Sequence, residues 1–162
     1  MRRLLIAASL LVLCAAAADA AQPVKPVPPP SWPVDRFGRT MVPYIDTAQI
    51  GHPAAPPGAI SVTAQGHAMT GGWSDFLVMF ATYNGVPLSG IYEARLVGVA
   101  PRGMVTQQIT HFSSIPTGFA NRTPQSLRGF HICAQSGCIT VMTDGTVIGG
   151  NGAVMGKAGT TQ

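Results

Sequence analysis

The sequence predicts an all-β protein, a single small sandwich or jelly roll preceded by a signal peptide and a Pro-rich extended arm. Three observations predict it. From Ala59 onward, apolar and polar residues alternate in short runs, as half-buried strands do. Turn-forming residues punctuate those runs about every 8–14 positions, the spacing of a small β-domain. No stretch beyond the first twenty residues carries the 3.6-residue apolar period of a helix. About a hundred residues suffice for one core of this kind and not for two, and no internal repeat is present.

The chain opens MRRLLIAASLLVLCAAAADAAQP. Arg2 and Arg3 form a basic start, Leu4 to Leu13 an apolar run, and Ala18-Asp19-Ala20 a small-x-small cleavage site. This is the pattern of a secretory signal peptide over residues 1–20. The apolar run stops short of the ~20 residues a membrane span requires. Cys14 follows Leu13 inside the run, which does not suit a lipid-acceptor cysteine, and the arginine pair lacks the rest of a twin-arginine signal.

Residues 21–58 hold ten of the fourteen prolines. Pro23 to Pro30 favours extended polyproline II and reads as a semi-rigid spacer. Trp32 to Ile50 carries apolar residues that call for a surface to cover, so this stretch is expected as an arm that docks on the body. His52 to Gly58 reads as a second joint.

The β-domain is expected over residues 59–150. Ile60, Val62 and Ala64 alternate with Ser61, Thr63 and Gln65. Ser74 to Tyr83 is apolar on both faces, as a strand covered on each side would be. Gly90 to Ala100 and Met104 to Phe112 have strand length and mixed polarity. Ser126 to Ala134 and Gly137 to Thr143 predict a hairpin, and Asp144-Gly145 a turn into Thr146-Val147-Ile148. Gly149 to Gly152 is not a phosphate cradle, because no helix follows it, and residues 151–162 read as a Gly-rich tail.

Cleavage of the signal leaves two cysteines, Cys133 and Cys138, in HICAQSGCIT. A zinc site needs about four ligands in short pairs, and no second pair exists. A thioredoxin-like motif has two intervening residues at a helix start, whereas four separate these, flanked by β-branched residues. A cross-strand disulfide stapling the hairpin fits the spacing and an oxidising compartment.

The segment VMFATYNGVPLSGIYEARLVG, residues 78–98, resembles a junction in bacterial immunoglobulin-like adhesin domains. There a strand ends in an Asn-Gly or Asp-Gly turn and a Pro-Val/Leu-x-Gly step leads into the next strand. Asn84 to Gly90 reproduces that step. The resemblance implies a sandwich used in adhesion or scaffolding.

Charged residues make up 10% of the chain, against roughly 25% in an ordinary soluble domain. From Ala59 onward there are five basic and three acidic residues, with no basic cluster, which excludes a nucleic-acid binder. No serine lies in a Gly-x-Ser-x-Gly elbow. Ser74-Asp75 after Gly71-Gly72-Trp73 is the most site-like cluster, yet it reads first as a turn. Asp75 and Glu93 are a thin pair for glycoside cleavage. His67, His111 and His131 would have to converge from separate strands to hold a metal, and no local spacing demands it. No catalytic residue, metal or cofactor is therefore assigned. Trp73, flanked by glycines, is the best candidate for stacking on a ligand such as a sugar ring, ahead of Tyr83, Tyr92 and Phe119.

The expectation is an exported, non-enzymatic structural or adhesive β-domain of the cell envelope or a surface appendage. It would work outside the cytoplasm, with an envelope protein or another copy of itself as partner and no transmembrane span after signal cleavage. A soluble glycan- or small-ligand-binding module using Trp73 is the alternative, and a small metal-dependent jelly-roll enzyme the third reading.

Overall fold

The computed structural model describes residues 31–32, 35–54, 58–119 and 126–149, together with the backbone of 154–157. The expected signal peptide and the proline tract Pro23 to Pro30 lie outside the described residues. Eleven strands and no helix make up the described part.

They are β1 (Arg39–Met41), β2 (Tyr44–Gly51), β3 (Ile60–Ala68), β4 (Ser74–Phe80), β5 (Ile91–Val99), β6 (Thr110–Ser113), β7 (Thr117–Phe119), β8 (Gly129–Ala134), β9 (Gly137–Met142), β10 (Thr146–Gly149) and β11 (Val154–Lys157). The larger sheet is organised around β5. On one side β5 pairs antiparallel with β4, from Ser74↔Val99 to Phe80↔Ala94. On its other side, β8 runs parallel to the first half, from Ile91↔Gly129 to Arg95↔Cys133. The last three residues there pair with β1, from Arg39↔Val99 to Met41↔Val97. Strands β9, β10 and β11 continue the sheet beyond β8.

The smaller sheet is built on β3. β2 flanks one side, and β6 and β7 lie end to end along the other. Ser114, between β6 and β7, joins the sheets' margin. Its amide donates to the Ala64 carbonyl (2.8 Å) and its buried hydroxyl accepts from the Ala64 amide (2.9 Å). The next amide, of Ile115, donates to Phe76 O in β4 (3.0 Å). The two sheets are thus tied along one edge as well as packed face to face.

Alternation explains the core. Val62, Ala64 and Ala68 on β3 are fully buried, while Ser61, Thr63 and His67 between them are half-buried on the other face. Leu96, Phe130, Ile132 and Val141 bury the larger sheet's inner face. Val42 and Ala48 are equally inaccessible, at 0% exposure, so the N-terminal strands belong to this core.

The boundary expected at residue 59 therefore does not separate an arm from a body. β1 and β2, inside the expected arm, are paired strands of the two sheets. Trp32 docks too: the Arg95 guanidinium lies 3.7 Å over its ring, and the Ser31 and Thr82 backbones bond reciprocally (3.0 and 2.7 Å). The Gly-rich end also departs from a loose tail, since β11 pairs with β10 through Thr146↔Lys157, Val147↔Gly156 and Ile148↔Val154. Only Val78 of β4 is fully buried, so β4 is not covered on both faces; Phe76 stacks on Phe112 of β6 in the smaller sheet (4.0 Å) and is partly buried there. Met104 to Ile109, expected within a strand, form a loop, and β6 starts only at Thr110.

The hairpin forms as the spacing predicts. Cys133 and Cys138 face each other across β8 and β9 and are disulfide-bonded, with Cα atoms 4.0 Å apart. Ala134 and Gly137 pair and leave only Gln135-Ser136 in the turn. The tip grips the β1–β2 connection. The Gln135 amide donates to Val42 O (2.9 Å), the Ser136 amide to Pro43 O (3.0 Å), and the Gln135 side-chain amide to Met41 O.

Candidate functional site

One end of the molecule carries three exposed apolar side chains on neighbouring connections; others, such as Leu88 in the β4–β5 connection, are exposed elsewhere. β3 and β6 stop pairing at Ala68↔Thr110, so Met69 and Ile109 are the next residues outward, and they are 51% and 57% exposed. Beside them the 100–109 loop carries Met104, whose side chain is entirely exposed. The Gly71 amide donates to Thr106 O (3.1 Å) and fastens the two connections together. Gly72, with φ +84°, passes so close to Pro101 that an added Cβ would lie 3.0 Å from the proline Cβ. Between the loops is an open cleft of about 350 Å³, lined by Gly71, Gly72, Pro101, Arg102, Met104 and Thr106.

Trp73 follows this cleft without lining it. Its side chain is half-buried and packs on the core. Asp75 lies in the left-handed region at φ +56°, within the bulge between Ser74 and Leu77. Arg39 holds it there, with Nε donating to Asp75 O and Nη2 to Oδ2, both at 3.2 Å. The same arginine pairs with Asp35 Oδ1 (3.3 Å). Burial pushes the Asp35 carboxyl up, but the Phe37 and Arg39 amides and the Arg39 guanidinium outweigh it and hold the carboxyl below its ordinary value.

A second arrangement lies on the outer face of the smaller sheet. His67 of β3 and His111 of β6 stand directly opposite each other, with ring centroids 5.8 Å apart. β2 carries a bulge at Asp46: Ile45 pairs with Gly66 and Thr47 with Gln65, so Asp46 is the extra residue. The bulge turns its carboxylate onto His67 Nδ1, at 2.8 and 3.0 Å from the two oxygens. Tyr44 covers the same imidazole face to face, 4.6 Å between centroids and 4° from parallel. One donor atom from each of Asp46, His67 and His111 falls within 4.8 Å of the others.

His131, weighed with His67 and His111, lies elsewhere, on β8 of the larger sheet, where its Nδ1 bonds Thr140 Oγ1 (2.9 Å). Asp46 was not singled out by the sequence, because no local spacing links it to His67. The candidate acids also separate. Asp75 is beside Val99 and Glu93 is six residues back along β5, roughly 20 Å at strand rise. Two carboxylates for glycoside cleavage stand about 5–9.5 Å apart. Among the described residues no histidine bonds Ser74 or Asp75, and the buried Ser114 hydroxyl is engaged by the Ala64 amide.

A second open cleft, of about 480 Å³, lies at the β4–β5 connection, between Phe80, Thr82, Tyr83, Val86 and Tyr92. Burial pushes the Tyr83 phenol above its ordinary value, although its oxygen accepts the Glu93 amide (2.8 Å). No family model matches this chain, and no curated protein or solved structure matches it either.

Proposed function

We propose that this chain is an exported, non-enzymatic binding domain of the cell envelope, whose contact surface is the end formed by Met69, Met104 and Ile109. The observation that carries this reading is the exposure of these three side chains on adjoining loops of a chain with only 10% charged residues. Water is released when such side chains are covered, and apolar patches on weakly charged proteins serve as protein contact sites. Methionine suits the role because its flexible thioether adapts to uneven partners. The partner is an envelope protein or another copy of the chain. The signal-like first twenty residues, the disulfide and the likeness of residues 78–98 to adhesin domains support work outside the cytoplasm.

Light scattering after size exclusion tests this reading on the full chain and on a Met104→Ser/Ile109→Ser variant. Both substitutions lie at exposed positions, so the fold is expected to survive them. The expected result is a concentration-dependent oligomer, or retention on an envelope fraction, that the variant loses. A monomer that binds no envelope fraction, or association the variant leaves untouched, overturns the reading.

The open cleft favours the second reading, a glycan- or small-ligand-binding module. Arg102, on the rim of the cleft, tests it. Removing the half-buried Trp73 would disturb the core, whereas Arg102→Ala changes only the exposed rim. Retention on a glycan array that Arg102→Ala abolishes would support this module, and an array that captures nothing would dismiss it.

A further inference from the structure

We propose that Asp46, His67 and His111 form a binding site for a divalent transition-metal ion of the zinc or copper(II) kind, on the outer face of the β2–β3–β6 sheet. Two imidazoles and one carboxylate are a donor set that suits these ions. Ligand atoms on one such ion, bonded at about 2.0–2.2 Å, stand roughly 3–4 Å from one another. The three donors already lie within 4.8 Å, so binding requires only side-chain adjustment.

Three features set this cluster apart from a chance meeting on a sheet. The first is the bulge at Asp46, which brings the carboxylate beside an imidazole that a regular register would not give it. A bulge leaves a residue unpaired in the ladder, and it commonly re-aims a side chain toward a site. The second is the fixed orientation of His67, whose ring is held flat against Tyr44 with its Nδ1 turned to the Asp46 oxygens at 2.8 and 3.0 Å. The third is charge: β2, β3 and β6 contain no Lys or Arg, so Asp46 is the only charged side chain of these strands.

The other His-Cys grouping offers no equivalent. Cys133 and Cys138 are spent on each other in the disulfide, and His131 is bonded to Thr140. The site faces solvent, with His111 exposed, so water or a donor from a bound partner completes the coordination.

Calorimetric titration of the tag-free full chain with ZnCl2, and with MgCl2 as the control for simple charge attraction, tests the site. Zinc should bind at one equivalent and magnesium should not. His67→Gln, His111→Gln and Asp46→Asn should each weaken zinc binding by about tenfold or more, while His131→Gln leaves it unchanged. His111→Gln keeps the test independent of folding, since that side chain is exposed and its loss should not move the metal-free Tm. In addition, Cu(II) should broaden the amide resonances of Asp46, His67 and His111 before any others. Zinc binding no tighter than magnesium, or zinc binding that survives the His67→Gln/His111→Gln double substitution, overturns the proposal and leaves Asp46–His67 an ordinary hydrogen-bonded pair.

Discussion

Single positions in this protein matter mostly through what they leave room for. Gly66 sits on β3 where β2 changes register, between the Tyr44 carbonyl and the Phe112 ring. A Cβ there would collide with the backbone carbonyl and lie 3.0 Å from the ring. Backbone cannot yield as a flexible side-chain tip does, so Gly66→Ala should cost about 1–3 kcal/mol, read as a lower urea midpoint. It should also disturb the outer-face cluster, because Tyr44 stacks on His67 across the β2–β3 pair and Phe112 follows His111 in β6. Asp75 shows the opposite case. A non-glycine residue in the left-handed region is uncommon, and aspartate tolerates it better than most. The two bonds from Arg39 keep it there.

At the scale of elements, the stapled hairpin is the most legible feature and the most directly testable. Replacing both cysteines by serine should destabilise the chain by about 2 kcal/mol, the chain-entropy value for so short a loop, measured by thermal or urea unfolding. The loss should appear first as faster hydrogen exchange at Gln135 and Ser136, whose amides hold the β1–β2 connection. Sequence reading found this hairpin because alternation, turn and cysteine spacing coincide within fifteen residues. It found β3 and β5 for similar reasons. It took β1 and β2 for an arm because prolines on both sides, Pro33, Pro43 and Pro53, carry the signature of a linker. It read Met104 into a strand because an apolar residue beside polar ones fits alternation whether it is buried or not. The Asp46–His67–His111 cluster was beyond local reading altogether. It depends on β3 meeting β6 across a long connection and on a bulge in β2, and both are set by packing.

For the whole molecule, the N-terminal strands decide where the folding unit begins. A chain started at Ala59 would lack Val42 and Ala48, both fully buried, and would strip β3 of its eight-residue partner β2. Such a chain should give no cooperative thermal transition and no near-UV circular dichroism, whereas one started at Ala21 keeps both. The parallel pairing of β5 with β8 adds long-range contacts that such a fragment would have to form without its second sheet intact. The order in which the N-terminal segment is fastened has a mechanical consequence. If residues 21–30 tether the domain, tension enters at the Ser31–Thr82 bridge and the Trp32–Arg95 stack, then reaches Arg39 and the three-residue β1. These grips are short and would peel in sequence. Behind them the cross-linked hairpin tip holds Val42 and Pro43 and shields the eight residues of β2 from the load. The domain would then answer a pull with graded release at its margin while its core stays whole, behaving as a fuse set ahead of a rigid body.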